Sequence, residues 1–176
     1  MSLYLVESSL KEIVNTKEEL DQKAKDLQKA LAEKSASLIE LQVSKDFSRS
    51  FFIVEANEEE TATSVLEESG ISVELVKDVR LVGDDLEKVK QQKDVVNYLV
   101  EWNIPEDITM DQYLARKKKN SVHYEEVPEV SFARTYVCED MSKCLCFYDA
   151  PDEAAVKRAR EAVSTPIDAI TEILGK

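Results

Sequence analysis

The tetrapeptide Tyr-Leu-Val-Glu occurs twice in this chain, at Tyr4 to Glu7 and at Tyr98 to Glu101, so the copies are 98 − 4 = 94 positions apart. The same shift lays Leu38 to Ala56 on Phe132 to Ala150 without a gap. Asp46 and Ser48 fall on Asp140 and Ser142, Arg49 on Lys143, and Ala56 on Ala150; Leu20 and Ser37 fall on Leu114 and Ser131. One shared tetrapeptide arises easily by chance. Several matches on a single register point to internal duplication, and a duplicated chain builds one supersecondary unit twice.

The hydrophobic pattern says which unit. "LYLVE" reads as a strand, and Thr16 with Glu19 forms a capping box before a helix whose stripe is Leu20, Ala24, Leu27 and Leu31. "SLIELQVS" and "FFIVEA" flank the turn "KDFSRS" as a hairpin. Asn57 and Glu60 open a second helix that Gly70 ends, and "ISVELVKDVRLV" supplies the closing strand. The second half repeats this order. "VNYLVEW" is its first strand, Thr109 and Gln112 cap its first helix, and "SFARTYVC" and "CLCFYDA" form the hairpin around Asp140. Asp149 and Pro151 start its last helix, Pro166 marks that helix's end, and "IDAITEIL" closes the unit. The order β-α-β-β-α-β is the ferredoxin-like, or split βαβ, unit. The expected division is 1–83 for the first repeat, a charged linker at 84–94 that could hold a helical turn, and 95–176 for the second repeat.

Strand alternation then sorts the hairpin residues into two faces. With symmetrical pairing, Ile39, Leu41, Val43, Phe51 and Ile53 form a core beneath the first pair of helices, and Ala133, Thr135, Val137, Leu145 and Phe147 form one beneath the second. The opposite face of the second repeat carries Phe132, Arg134, Tyr136, Cys144, Cys146 and Tyr148. Burying even ~300–400 Å² of such a face at about 25 cal/mol per Å² is worth roughly 8–10 kcal/mol before entropy. The expected fold is therefore α+β: two ferredoxin-like βαββαβ units with antiparallel sheets, packed sheet to sheet as a pseudo-dimeric α/β barrel. A second copy of the chain, joined through sheet faces or edges as a homo-oligomer, is the competing cover.

Composition narrows the partners. With 36 acidic and 23 basic residues the formal charge is −13. Such a surface repels phosphate backbones, so nucleic acid is not an expected partner. The basic run Arg116 to Lys119 reads as a solvated helix end. No run approaches the ~18–20 apolar residues of a membrane span, and no secretory signal is legible, which favours a cytoplasmic address and no membrane partner. The three cysteines, Cys138, Cys144 and Cys146, lie in one half and make no disulfide framework, which fits a reducing compartment. The chain has only three glycines and no G-x-G-x-x-G, P-loop or H-E-x-x-H, so no nucleotide cofactor is expected.

The residues able to carry chemistry are few. His123 is the only histidine and sits in the polar stretch "SVHYEEV" among Tyr124, Glu125, Glu126 and Glu129. It reads as an ordinary exposed histidine, a metal ligand or, in an enzyme, the general base. Cys144 and Cys146 share a side with Tyr148 and, on the expected register, with Arg134 and Tyr136; an arginine there favours a thiolate. Those residues form the expected pocket, although small core cysteines are the plainer account. Glu101, inside an apolar strand, needs water or a partner, and Arg134 is the expected one. The candidate metal set is His123 and Cys146, with Glu101 as the weakest member.

The segment from Val95 to Ile173 resembles a family of small ferredoxin-like proteins, similar to dimeric α/β-barrel proteins, whose members are described as domains of unknown function or nickel-binding proteins. "NYLVEW", "RTYV", "CLCFYDAPDE" and "TPID" carry the resemblance, and the first half, Leu3 to Val82, follows as a diverged copy. The resemblance implies association through sheets and places the family's hairpin cysteine, following tyrosine and acidic residue at Cys146, Tyr148 and Asp149. A histidine frequent in the family's last helix falls here on Ala159, the usual glycine on Ser164, and the first copy has Phe52 where the second has Cys146. The expected function is binding of a small ligand, foremost a divalent metal such as nickel. The alternatives are a cofactor-independent enzyme of the dimeric α/β-barrel type and a non-catalytic interaction protein.

Overall fold

The computed structural model describes residues 1–91 and 95–174. The elements run β1 (Ser2–Ser8), α1 (Lys17–Ala32), β2 (Ser37–Val43), β3 (Ser50–Ala56), α2 (Glu59–Glu68), β4 (Leu75–Val82), α3 (Leu86–Gln91), β5 (Tyr98–Asn103), α4 (Met110–Asn120), a 3₁₀ turn (Ser121–Glu126), β6 (Ser131–Cys138), β7 (Lys143–Asp149), α5 (Glu153–Ala162) and β8 (Ala169–Glu172). Two compact units emerge, Met1–Val79 and Arg80–Lys176. The stretch read as a linker, 84–94, contains α3; its residues 92–94, like 175–176 at the end, lie outside the described ones.

Local signals place most elements. The Thr16 side chain accepts from Glu19 N (3.1 Å), and Glu19 reaches back to Asn15 N (2.8 Å) rather than to the cap's own N–H. Thr109 and Gln112 make both bonds of a capping box at α4. Two helix starts differ from expectation: α2 is capped at Glu58 without a side-chain bond, and α5 at Asp152, whose carboxylate accepts from Ala155 N. Gly70 ends α2 at φ +85°, where a Cβ would strain the backbone, and the equivalent place after α5 is Ser164 at φ +53°.

Both units pair their strands alike. In the first, Tyr4 faces Val54 and Val6 faces Phe52; in the second, Tyr98 faces Tyr148 and Val100 faces Cys146, each 94 residues on. The hairpins share a bulge as well, between Leu38 and Glu40 and between Phe132 and Arg134. In each turn an aspartate accepts from the backbone two residues on, Ser48 N to Asp46 (3.0 Å) and Ser142 N to Asp140 (2.9 Å). The Arg49–Glu7 ion pair recurs as Lys143–Glu101, both at 2.8 Å.

The structure corrects the expected barrel. The strands form one sheet in the order β2-β3-β1-β4-β6-β7-β5-β8, open at β2 and β8, so no barrel is closed. A closed barrel leaves no edge strand, and this sheet has two. The physical route lies in β4: its pairing with β1 ends at Val79, and Arg80 to Val82 run on beyond that ladder, leaving backbone groups for β6, the next strand in the order.

The face assignment is corrected too. In the second hairpin Cys144 pairs with Val137, Cys146 with Thr135, and Tyr148 with Phe132, whereas Leu145 pairs with Tyr136 and Phe147 with Arg134. The true register is one residue from the symmetrical one, and a slip of one residue exchanges the faces of a strand. Cys144, Cys146 and Tyr148 thus lie beneath the helices, in a core with Trp102, Tyr113, Ala155 and Ala159. Leu145, Phe147, Arg134 and Tyr136 occupy the other face and are buried there.

Candidate functional site

The chemistry-bearing side chains of the second unit collect between β5–β7 and the helices α4 and α5. The strands contribute Trp102, Thr135, Cys144, Cys146 and Tyr148; α4 contributes Tyr113, Arg116 and Lys117; the 3₁₀ turn contributes Tyr124; and α5 contributes Arg160. Arg160 reaches the sheet because α5 buries the face carrying Ala155, Val156, Ala159 and Arg160. The small residues there let the helix lie close enough for the guanidinium to be only 2% exposed.

Cys146 Sγ is the centre of this cluster. Thr135 Oγ1 donates to it (3.2 Å), and so does Arg160 Nη1 (3.4 Å). The same Nη1 donates to the Tyr148 hydroxyl (3.1 Å), which shares a 2.7 Å hydrogen bond with the Tyr124 hydroxyl, and Nη2 donates to Pro166 O (2.7 Å). Arg160 Nε has no hydrogen-bond partner. Among the described residues no carboxylate pairs with Arg160, an uncommon state for a buried cation. Tyr124 also stacks on Phe132 (centroids 5.3 Å, planes 6° apart) and meets Tyr148 edge-on (5.9 Å).

The electrostatics follow from that geometry. Cys146 is held well below the usual thiol range, first by the hydrogen bond from Cys144 and then by Lys117, Arg160 and Thr135, which together outweigh its burial. Cys144 moves the opposite way, because it is the donor of that bond and is itself buried. Burial pushes Tyr124 up to about 12 and raises Tyr148 and Tyr113 further. Burial alone would lower Arg160, but Cys146 and Tyr148 more than offset it. These directions favour charge on the Cys146 sulfur beside the Arg160 guanidinium and keep the phenols as neutral donors.

A cavity opens on this pair, lined by Cys144, Cys146, Arg160, Tyr113, Tyr124 and Trp102, with Arg116 and Lys117 at its α4 side. Its room for water-sized centres is about 20 Å³, space for one or two waters as the closed site stands. Lys117 Nζ lies 4.3 Å from the Phe132 ring centroid, and Arg116 sits over Trp102 and donates to Ser164 O. Among the described residues no carboxylate lines the cavity.

The residues singled out from sequence are partly brought together. Cys144, Cys146 and Tyr148 meet in the site. Arg134 and Tyr136 point to the other sheet face, where Arg134 lies over Phe147 (5.4 Å) and Tyr136 meets the same ring edge-on. Glu101 accepts from Lys143 Nζ (2.8 Å). His123 is exposed on the 3₁₀ turn, with Nδ1 2.7 Å from Glu126. Sequence reasoning missed Arg160, Thr135, Lys117, Tyr113 and Tyr124. Arg160 did leave a signal, since it falls four residues after Val156 on the apolar stripe of α5.

A nickel site was tested on these donors. Among the described residues no group of three His, Cys, Asp or Glu side chains could hold a metal ion. The two thiols that do converge sit against a buried arginine, whose charge opposes a divalent cation. The donor set does not fit the metal.

Residues 98–173 match the family model described as "Nickel responsive protein SCO4226-like". Among curated proteins, none matches the chain. A solved structure described as a "Putative Chlorite dismutase" aligns over 100% of this chain and 94% of its own, with TM-score 0.57 and 14% identity. A "putative monooxygenase from Lactobacillus acidophilus NCFM" aligns over 99% and 94%, with TM-score 0.50 and 9% identity. At these identities the likeness is one of fold. Among the described residues no helix is long and apolar enough to cross a membrane. Residues 98–173, within the second unit, are thus similar to the SCO4226-like family, and over the whole chain the likeness to solved structures is one of fold.

Proposed function

We propose that this protein is a cofactor-independent enzyme acting on a small molecule, with its centre in the second unit and Cys146 as the reacting thiolate. One observation carries the reading: Arg160 is buried without a carboxylate and spends its Nη1 on Cys146 Sγ and the Tyr148 hydroxyl. A buried cation is costly unless a counter-charge compensates it, and the thiolate is that counter-charge. The first unit supports the same reading. At the matching places it has Phe52 for Cys146, Leu41 for Thr135, Val54 for Tyr148 and Leu66 for Arg160. The fold is built there from hydrocarbon alone, so it does not require the polar cluster.

In this reading Thr135, Arg160 and the Cys144 thiol hold the sulfur charged, Tyr148 and Tyr124 supply hydroxyls beside it, and Trp102 and Tyr113 exclude bulk water. Alkylation with iodoacetamide across pH tests it. Cys146, followed by mass spectrometry, should react at pH values where Cys138 is silent, and Arg160→Leu should abolish the difference. Identical pH profiles for the three cysteines would sink the proposal.

A metal reading draws support from the matched family description, and the donor set stands against it. It has His123 and Glu101 standing apart from Cys146, and calorimetric titration with nickel, read against Cys146→Ser, decides it. Saturable binding lost in that variant would favour the metal over the thiolate enzyme.

A further inference from the structure

Three features at Cys146 bear on its reaction partner: the size of the cavity, the convergence of donors on one sulfur, and the spare N–H of Arg160. Together they select a substrate. A space holding one or two waters at the sulfur favours the smallest electrophiles, which enter without displacing the side chains around it, over esters, amides and sugars. Thr135 Oγ1 and Arg160 Nη1 donate to that sulfur, and the Tyr148–Tyr124 hydroxyl pair joins them through the same Nη1. Arg160 Nε, buried and without a partner, leaves one further donor in the group that lines the cavity. Donors of this kind assist a reaction in which negative charge moves from sulfur onto a departing oxygen.

We propose that the substrate of this centre is a small hydroperoxide, foremost hydrogen peroxide, reduced by Cys146. The proposal rests on Cys146 being the reactive sulfur and goes beyond it in naming the electrophile. The thiolate attacks one peroxide oxygen, an S–O bond forms and the O–O bond breaks. The proton of the attacked oxygen passes to the leaving one, giving a sulfenate on Cys146 and one water. Sulfur loses two electrons and the peroxide gains them. The sulfenate oxygen then lies within reach of the Arg160 guanidinium. Two equivalents of a low-molecular-weight thiol return the enzyme, forming their own disulfide and a second water. Cys144 does not resolve the sulfenate: it lies two residues along the same extended strand, a spacing at which a disulfide strains the backbone.

The test treats the folded whole chain with hydrogen peroxide, unfolds it into urea containing dimedone so that trapping does not depend on the cavity, and reads each cysteine by mass spectrometry. Cys146 should label at least about tenfold faster than Cys138 or Cys144, and added dithiothreitol before trapping should erase the label. Arg160→Leu should slow Cys146 at least about tenfold, and Thr135→Val by about three- to tenfold; the second variant keeps the charge pair, so it reads even if the first is poorly folded. Tert-butyl hydroperoxide should react at least about tenfold more slowly than hydrogen peroxide, because its carbon must displace the side chains that line the cavity. Fast iodoacetamide alkylation of Cys146 without fast peroxide labelling would overturn this inference and leave the thiolate reading intact. Slow reaction with both reagents would overturn the two together.

Discussion

The two units share one ladder and differ in what they put under it. At β3 and β7, at the same register against β1 and β5, the first unit places Ser50, Phe52 and Val54 and the second places Cys144, Cys146 and Tyr148. Leu66 on α2 is fully buried, and its counterpart on α5 is Arg160, equally buried. The first unit shows what this architecture needs: apolar volume beneath the helices, a bulged hairpin and an Asp-stabilised turn. What the second unit has in addition is costly to bury, which is the ground for the proposal that it serves chemistry.

The largest effect should come from breaking the charge pair on one side. Cys146→Ala leaves the Arg160 cation buried without its counter-charge and should lower unfolding free energy by about 3–5 kcal/mol in urea denaturation. Converting the second unit to the first, with Cys146→Phe, Tyr148→Val and Arg160→Leu together, should cost far less or even stabilise by about 1–4 kcal/mol. If the triple variant is the weaker of the two, the polar cluster serves the fold and the contrast between the units is lost.

The duplicated ion pair offers a finer comparison. The Lys143 and Glu101 side chains are 17% and 7% exposed, against 39% and 11% for Arg49 and Glu7. Lys143→Met should therefore cost about 2–3 kcal/mol and Arg49→Met about 1 kcal/mol, since the better-buried carboxylate loses more when its cation is removed. Equal losses would mean that the two faces are equally wet.

The pH dependence of stability should also separate the units. The Cys146 value is lowered on folding, so its contribution is complete above the ordinary thiol value of about 9 and declines as pH falls through the lower folded value. Tyr124 is raised from 10 to about 12, so its contribution is complete below pH 10 and is lost as pH rises through about 12. Cys146→Ser should flatten the first dependence and Tyr124→Phe the second, in stability curves measured between pH 5 and pH 12. The smallest effect lies at the helix ends: Ser164→Gly relieves a left-handed residue and should gain about 0.5–1 kcal/mol, whereas Gly70→Ala should lose about as much.

The duplication, the order of helices and strands and the turn chemistry were legible in the sequence because each rests on local signals. Thr109 and Gln112 cap a helix wherever the rest of the chain goes, and Asp46 or Asp140 binds its own turn. The hairpin register was not legible. Both faces of β7 carry large apolar residues, so no polar alternation fixed which side met the helices, and a bulge one residue long decided it. That slip is why Cys144, Cys146 and Tyr148 were legible as a cluster while Arg134 and Tyr136 were wrongly added to it. Arg160 was missed because a charged residue in a helix reads as solvent-facing. Only the close approach that Ala155 and Ala159 allow carries its guanidinium to the sheet.

By itself the sequence determined a βαββαβ unit written twice, three cysteines in one copy and an excess of acidic residues. Tertiary structure alone decided that the sheet stays open at β2 and β8, that His123 and Glu101 stand apart from the cysteines, and that Arg160 meets Cys146. The physical reason is reach. Capping, alternation and turn formation act within a few residues, whereas edge pairing and the meeting of a strand thiol with a helix guanidinium bring together groups far apart along the chain, and only packing fixes which of them touch.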